Sequence, residues 1–243
     1  MRIVLALLFS SFLAQAQLDS AITVPLVGIH FGGQLPSSDM VNRFGPNLNA
    51  GACFLIKTKK NWLFGIESNY LFGRNVKEDV LKQLKTAEGF VVDNLGNPAD
   101  IRVTERGWGI DFVTGRVLKL GSSNPNSGLV ISVGLGYLQH RINLYDVQKT
   151  IAAVKGDRVK GFDRLTAGFS ITQFIGYLFL SENRLLNFYF GFESCQALTK
   201  SVRKLNYDTA LPDTKERLDV LTGFRAGWIL PLYKKKPNDV YYY

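Results

Sequence analysis

One pattern constrains this chain more than any other. An alternation of apolar residues with polar residues or glycine, at period two, returns eight times. The segments are 26–34, 48–57, 62–72, 107–117, 129–140, 165–178, 186–196 and 218–232. The third is the clearest. Trp62, Phe64, Ile66, Ser68, Tyr70 and Phe72 fall on one face, and Leu63, Gly65, Glu67, Asn69 and Leu71 on the other. A half-buried β-strand has this period, and a helix does not. The expected fold is therefore all-β.

The connections carry a second pattern, because long and short links alternate. Residues 58–61, 121–128 and 181–184 are short and rich in turn residues; 35–47, 73–106, 141–164 and 197–217 are longer. A soluble sandwich has no reason to sort its loops this way, whereas a transmembrane barrel has short turns on one side and long loops on the other. The faces agree with this. One is aromatic and nearly uncharged. The other mixes Ser, Thr, Asn, Glu, Asp and Arg with glycines at 28, 65, 109, 134, 191 and 223. Glycine weakens a strand on a solvated face, but inside a narrow tube it makes room for long polar side chains. The reading is a closed antiparallel transmembrane β-barrel of about eight strands, with short periplasmic turns and long extracellular loops. A secreted or periplasmic all-β binding module is the alternative of a different class.

The first residues read as an export signal rather than as fold. Arg2, an apolar core from Ile3 to Ala14, and the small residues Ala14 and Ala16 place a cleavage after Ala16. That gives a signal peptide at 1–16 and one barrel domain at 17–243, with the outer membrane as the expected location. After residue 14 no run is apolar and long enough for a membrane-spanning helix. The formal charge of +9 suits anionic surfaces; nucleic acid is not expected, since no aromatic–basic interleaving on a solvated sheet supports it.

Chemistry-bearing residues are few. Lys57, Glu67, Asp111, Glu193 and Arg225 share the predicted lumen and are expected to pair as an ion network, since confined charges must pair or neutralise. Eight strands enclose side chains, not a wide aqueous channel, so no large pore is expected. His30 and His140 face the same interior, but no serine is tied to either by sequence. A small barrel enzyme acting on lipid is kept only as a further alternative, and no catalytic residue is assigned. Cys53 and Cys195 lie at different heights and are expected to be free thiols. No metal-ligand spacing, phosphate loop or hydrolase elbow is present, so no metal or cofactor is expected.

Loops and rims supply the remaining candidates. Asn75 and Glu78 have the spacing of a capping box, and Val76, Val80, Leu81 and Leu84 form a stripe at helical spacing. A short helix is expected there, either as a lid or as a docking element. Lys59, Lys60, Arg116, Lys119, Lys234, Lys235 and Lys236 gather at the predicted periplasmic rim, where they suit lipid headgroups or an acidic partner.

With its export junction at Ala14 to Gln17, its glycine–aromatic strands and its terminal Tyr241, Tyr242 and Tyr243, the chain resembles small eight-stranded outer-membrane barrels of the OmpA/OmpX kind. It looks most like the PorT-like barrels of the Bacteroidota. The resemblance implies a terminal aromatic read by the barrel-insertion machinery, here Tyr243, although Pro231 and the lysine-rich turn separate it from the last strand. It also implies outer-membrane lipid and an envelope protein as partners, in a scaffold or interaction role in secretion, assembly or envelope integrity.

Overall fold

The computed structural model describes residues 21–119, 124–181 and 186–233. The signal segment 1–16, Lys234, Lys235, Lys236 and Tyr243 lie outside them. Eight strands run β1 Val24–Ser38, β2 Asn47–Lys57, β3 Trp62–Gly73, β4 Ile101–Leu118, β5 Gly128–Asp146, β6 Thr166–Phe179, β7 Phe188–Ser201 and β8 Glu216–Pro231. Each pairs antiparallel with its neighbours in sequence, and β1 also pairs with β8, from Leu26↔Pro231 to Ser38↔Asp219. That last pairing returns the sheet on itself.

The outward face is apolar and open. Phe112 is 71% exposed and Phe192 65%. Trp62, Tyr70, Trp108, Phe169, Phe188 and Trp228 also project outward. The inward face is buried and divides into two cores. Toward the short turns, Leu26, Leu55, Leu63, Val113, Val130, Leu178 and Ile229 fill the interior. Toward the long loops, Met40, Phe44, Leu71, Leu138 and Ile142 continue into loop residues Val80, Leu81, Val91, Ile151, Val154 and Phe162.

The expected architecture needs correction in three respects. It is not a plain tube of short strands. β4 begins at Ile101 instead of 107, and β5 ends at Asp146 instead of 140, still paired through Ile101↔Asp146. In this extension the outward positions Arg102, Thr104, Arg106, Arg141 and Asn143 turn polar while the inward Ile101, Val103, Ile142 and Leu144 join the loop-side core, so the apolar alternation changes phase and a scan for it stops early. Nor is the interior evenly polar: its lower half is an aliphatic plug. Finally, the helix over 76–84 does not form. Lys77 N donates to Arg43 O at 2.8 Å, Gly45 N donates to Asn75 O at 2.8 Å, and Phe44 bridges Val76. Residues 75–77 pair with the first loop instead of winding, and only Lys82–Leu84 makes a 3-10 turn. Val80 and Leu81 are buried and Val76 and Leu84 pack against them, so the stripe faces a core and offers no docking surface.

Candidate functional site

The interior can be followed from the short-turn end to the long-loop end. At the bottom, Lys57 is buried and its Nζ donates to Asn126 Oδ1 at 2.8 Å. It stands apart from the other candidate lumen charges. Above it lies the aliphatic plug, and above the plug sits Arg225. The Arg225 Nη1 lies 2.7 Å from Glu67 Oε2 and 2.7 Å from Glu193 Oε2. Its guanidinium also covers the Phe174 ring at 4.6 Å and the Tyr189 ring at 5.5 Å. Gln34 and Asn49 donate to the other oxygen of Glu193 at 3.1 and 3.4 Å. Asp111 is the cross-strand partner of Glu67 and accepts from Ser170 Oγ at 3.3 Å. The alternation of β1, β2, β3, β4, β6, β7 and β8 aims these side chains inward.

The cluster is tight. Voids of about 30 Å³ and 20 Å³ flank it, room for a water apiece and not for a path. Gly136 faces Asp111, and a Cβ there would overlap both the Asp111 carboxylate and the Ile110 carbonyl. Glycine thus makes the space that the buried acid occupies.

A second polar layer lies where the strands outrun the aromatic band. His140 Nε2 is 2.8 Å from Asp219 Oδ2, and Thr199 donates to the same oxygen. Phe44 from the first loop packs edge-on against His140 at 5.5 Å. Asn47 donates to both oxygens of Glu105 at 3.0 and 3.1 Å. Burial, with the Asp219 charge beside it, pushes the Glu105 carboxyl up to about 7 even though Asn47 holds it. Burial acts the same way on Asp219, but His140 and Thr199 outweigh it and hold that carboxyl below its ordinary value.

Above these layers the four long loops are joined by charge. Arg43 of loop 39–46 meets Glu78 of loop 74–100 at 2.9 Å and Asp213 of loop 202–215 at 3.4 Å. Glu78 also meets Arg164 of loop 147–165 at 2.6 Å, and Arg164 takes Asp208 in a two-toothed contact. Arg203 pairs with Asp163, and Lys215 reaches Asp39 at 3.0 Å. Arg43 and Arg164 are buried against the apolar cap, where a charge without a partner is costly, whereas the Lys215–Asp39 pair lies at the surface.

Of the candidate lumen residues, then, Glu67, Glu193 and Arg225 meet, Asp111 adjoins them, and Lys57 does not. Lys59, Lys60 and Lys119 are exposed at the short-turn end, and Arg116 lies over the Trp62 ring at 5.5 Å. His30 bonds Asn69 at 2.7 Å, remote in role from the His140–Asp219 pair. Neither histidine bonds a serine. The sequence reading missed Arg43, Arg164, Glu105 and Asp219. Asp219 and Glu105 lie at inward positions, which was the available signal; the loop arginines carried none. Cys53 and Cys195 are free thiols. Among the described residues, no group of three or more His, Cys, Asp or Glu is placed to hold a metal.

No family model matches the chain, and no curated protein matches it. The resemblance to the OmpA/OmpX or PorT-like groups is therefore not a family assignment. Among solved structures, Neisserial surface protein A aligns with a TM-score of 0.42 at 8% identity, covering 84% of this chain and 95% of that one. The outer membrane protein OprG from Pseudomonas aeruginosa aligns with a TM-score of 0.40 at 12% identity, covering 88% and 98%. Ail, the attachment invasion locus protein of Yersinia pestis, in complex with the heparin analogue sucrose octasulfate, aligns with a TM-score of 0.40 at 11% identity, covering 86% and 99%. Likenesses of this strength decide nothing; the fold stands on the strand pairing itself.

Proposed function

We propose that this chain is a non-catalytic outer-membrane protein that presents its loop cap as a scaffold or interaction surface within an envelope complex. One observation carries the reading. The outward residues between the Trp62 and Tyr70 levels form an uncharged apolar belt, while the ionised side chains at that height point inward. A soluble protein rarely exposes an apolar patch of more than a few hundred Å². A lipid-facing wall requires such a belt, and the return of β1 onto β8 leaves no unpaired edge within it. Trp62, Phe188 and Trp228 mark one margin and Tyr70, Trp108 and Tyr137 the other, as aromatics do at membrane interfaces.

The interior supports a scaffold over a conduit. An aliphatic plug lies below an ion-paired layer, and both are closed to bulk water. The cap is tied together across all four loops, which suits recognition of a partner of fixed shape. A soluble binding module would have to leave the belt in water, and no observation favours a lipid-acting enzyme over a scaffold. Outer-membrane lipid, the insertion machinery and an envelope protein are the partners this reading implies.

The test is fractionation of cells expressing the full chain, followed by gels of unboiled and boiled samples. The expected result is a detergent-dependent band in outer membranes whose mobility shifts on boiling. A soluble band without that shift rejects the reading. Crosslinking in native membranes then tests the scaffold role: a discrete partner attached through the loop cap is expected, and a free-standing protein refutes it.

A further inference from the structure

We propose that Arg106 and Arg141 form a site for the phosphate of a lipid headgroup in the outer leaflet. The two are cross-strand partners in the β4–β5 ladder. Both share the outward face with Trp108 and Tyr137: Arg106 lies one pleat beyond Trp108 toward the loops, and Arg141 one pleat beyond Gln139, the cross-strand partner of Trp108. Directly opposed side chains have Cβ atoms about 5 Å apart, and like charges placed so are destabilising. Among the described residues nothing relieves this pair. Arg106 Nη1 donates to the Glu105 carbonyl at 3.1 Å, which neutralises no charge. The Glu105 carboxylate turns inward to Asn47. Among the described residues, no carboxylate forms an ion pair with either guanidinium.

The surroundings identify the missing anion. Two residues beyond Arg106, Thr104 accepts from Asn143 Nδ2 at 3.3 Å, a neutral polar floor. Arg102 follows on the same face, with Asp100 at a distant 4.0 Å and both side chains more than 60% exposed. On the other side, the Trp108 and Tyr137 rings meet at 5.4 Å, and Tyr70 is the cross-strand partner of Trp108. Such rings sit at headgroup level, so guanidiniums one pleat above Trp108 and two above Tyr137 stand where lipid phosphates stand. A phosphate offers several oxygens to two guanidinium forks and supplies the charge the pair lacks. The opposite rim differs. There Arg116 is engaged by the Trp62 ring, and Lys59 and Lys60 are separate exposed cations.

This inference rests on the membrane reading above, and its test separates the two. The full chain is purified in a zwitterionic detergent, and native mass spectrometry counts bound phosphatidic acid, phosphatidylcholine or inorganic phosphate. Wild type is expected to hold phosphatidic acid in preference to phosphatidylcholine. Arg106→Gln/Arg141→Gln is expected to bind phosphatidic acid at least tenfold more weakly, and Lys59→Gln/Lys60→Gln to bind as wild type does. Unchanged binding in the arginine variant overturns the site. Inorganic phosphate bound as tightly as the lipid overturns the lipid as ligand. The heat shift on gels reports folding of each variant. Should the double variant fail it, Arg141→Gln alone, at an exposed position, is expected to lose at least threefold, and no loss there overturns the proposal. A wild-type chain that is soluble and shows no heat shift would instead reject the membrane reading.

Discussion

The Arg43 Nε and the Glu78 Oε2 meet at 2.9 Å, joining the β1–β2 loop to the β3–β4 loop. The other Glu78 oxygen is 2.6 Å from Arg164 Nε. One carboxylate thus stands between two guanidiniums whose side chains are 8% and 6% exposed. Glu78→Gln would leave both cations facing a neutral amide. Each cation keeps a second carboxylate, Asp213 for Arg43 and Asp208 for Arg164, so no charge is stranded and the loss is about 1–2 kcal/mol. The cap is expected to loosen while the strands hold: loop cleavage by an added protease rises roughly tenfold, the factor that about 1.4 kcal/mol gives, and the heat shift on gels is retained. Unaltered cleavage would mean that the apolar cap holds the loops without the latch.

Arg225 answers to Glu67 and Glu193 at once. Arg225→Met removes the cation and leaves two buried carboxylates. The urea midpoint in lipid vesicles is expected to fall, with a loss of about 3–5 kcal/mol. Adding Glu67→Gln and Glu193→Gln should recover much of it, because the charges then vanish together. A triple variant as unstable as the single one would place the cost in packing against Phe174 and Tyr189 instead.

Glu105 links stability to pH. Its carboxyl in the folded chain is pushed up to about 7, from an ordinary 4.5, by burial. A raised carboxyl favours folding most when protonated. Its contribution is complete below about pH 4.5 and is lost as pH rises through 7. Wild type is expected to be less stable at pH 8 than at pH 5 by about 2–3 kcal/mol from this residue. Glu105→Gln should flatten that difference. Unfolding midpoints of the two proteins at both pH values measure it, and equal slopes would exclude Glu105 as the source.

The plug of Leu26, Leu55, Leu63, Val113 and Val130 leaves no room for hydrated ions. Planar bilayers containing the protein are expected to show no porin-scale current. Leu55→Gly/Leu63→Gly removes side chains from the narrowest apolar layer, and the lower void should admit water without opening a wide path. Steady large conductance in wild type would contradict the packing described.

The strands were legible because lipid-type and lumen-type environments impose opposite chemistry on alternate residues. Trp62 to Phe72 could be read almost residue by residue. Legibility failed where that contrast changes. Between Ile101 and Arg106 the apolar face switches from outward to inward, with Ile101 and Val103 packed under the cap and Arg102, Thr104 and Arg106 outward, so the ladder continues past the point where the alternation breaks phase. The 76–84 stripe had helical spacing, yet Arg43 drew the Lys77 and Glu78 amides to its own carbonyl. Lumen candidates Glu67, Glu193 and Arg225 could be grouped by face alone. Lys57 shares that face but differs in height, which depends on register. The loop latch joins residues as far apart as Arg43 and Asp213, and no local pattern encodes such a meeting.

That separation along the chain has a temporal meaning. Arg43 is made early and Asp213 late, and in the folded chain they meet beside the seam where β8 pairs with β1. The four-loop surface therefore does not exist on a partly assembled molecule. Whatever recognises it reads completion: a partner, or an antibody raised against the cap, counts finished molecules and passes over those whose last strand is still unpaired.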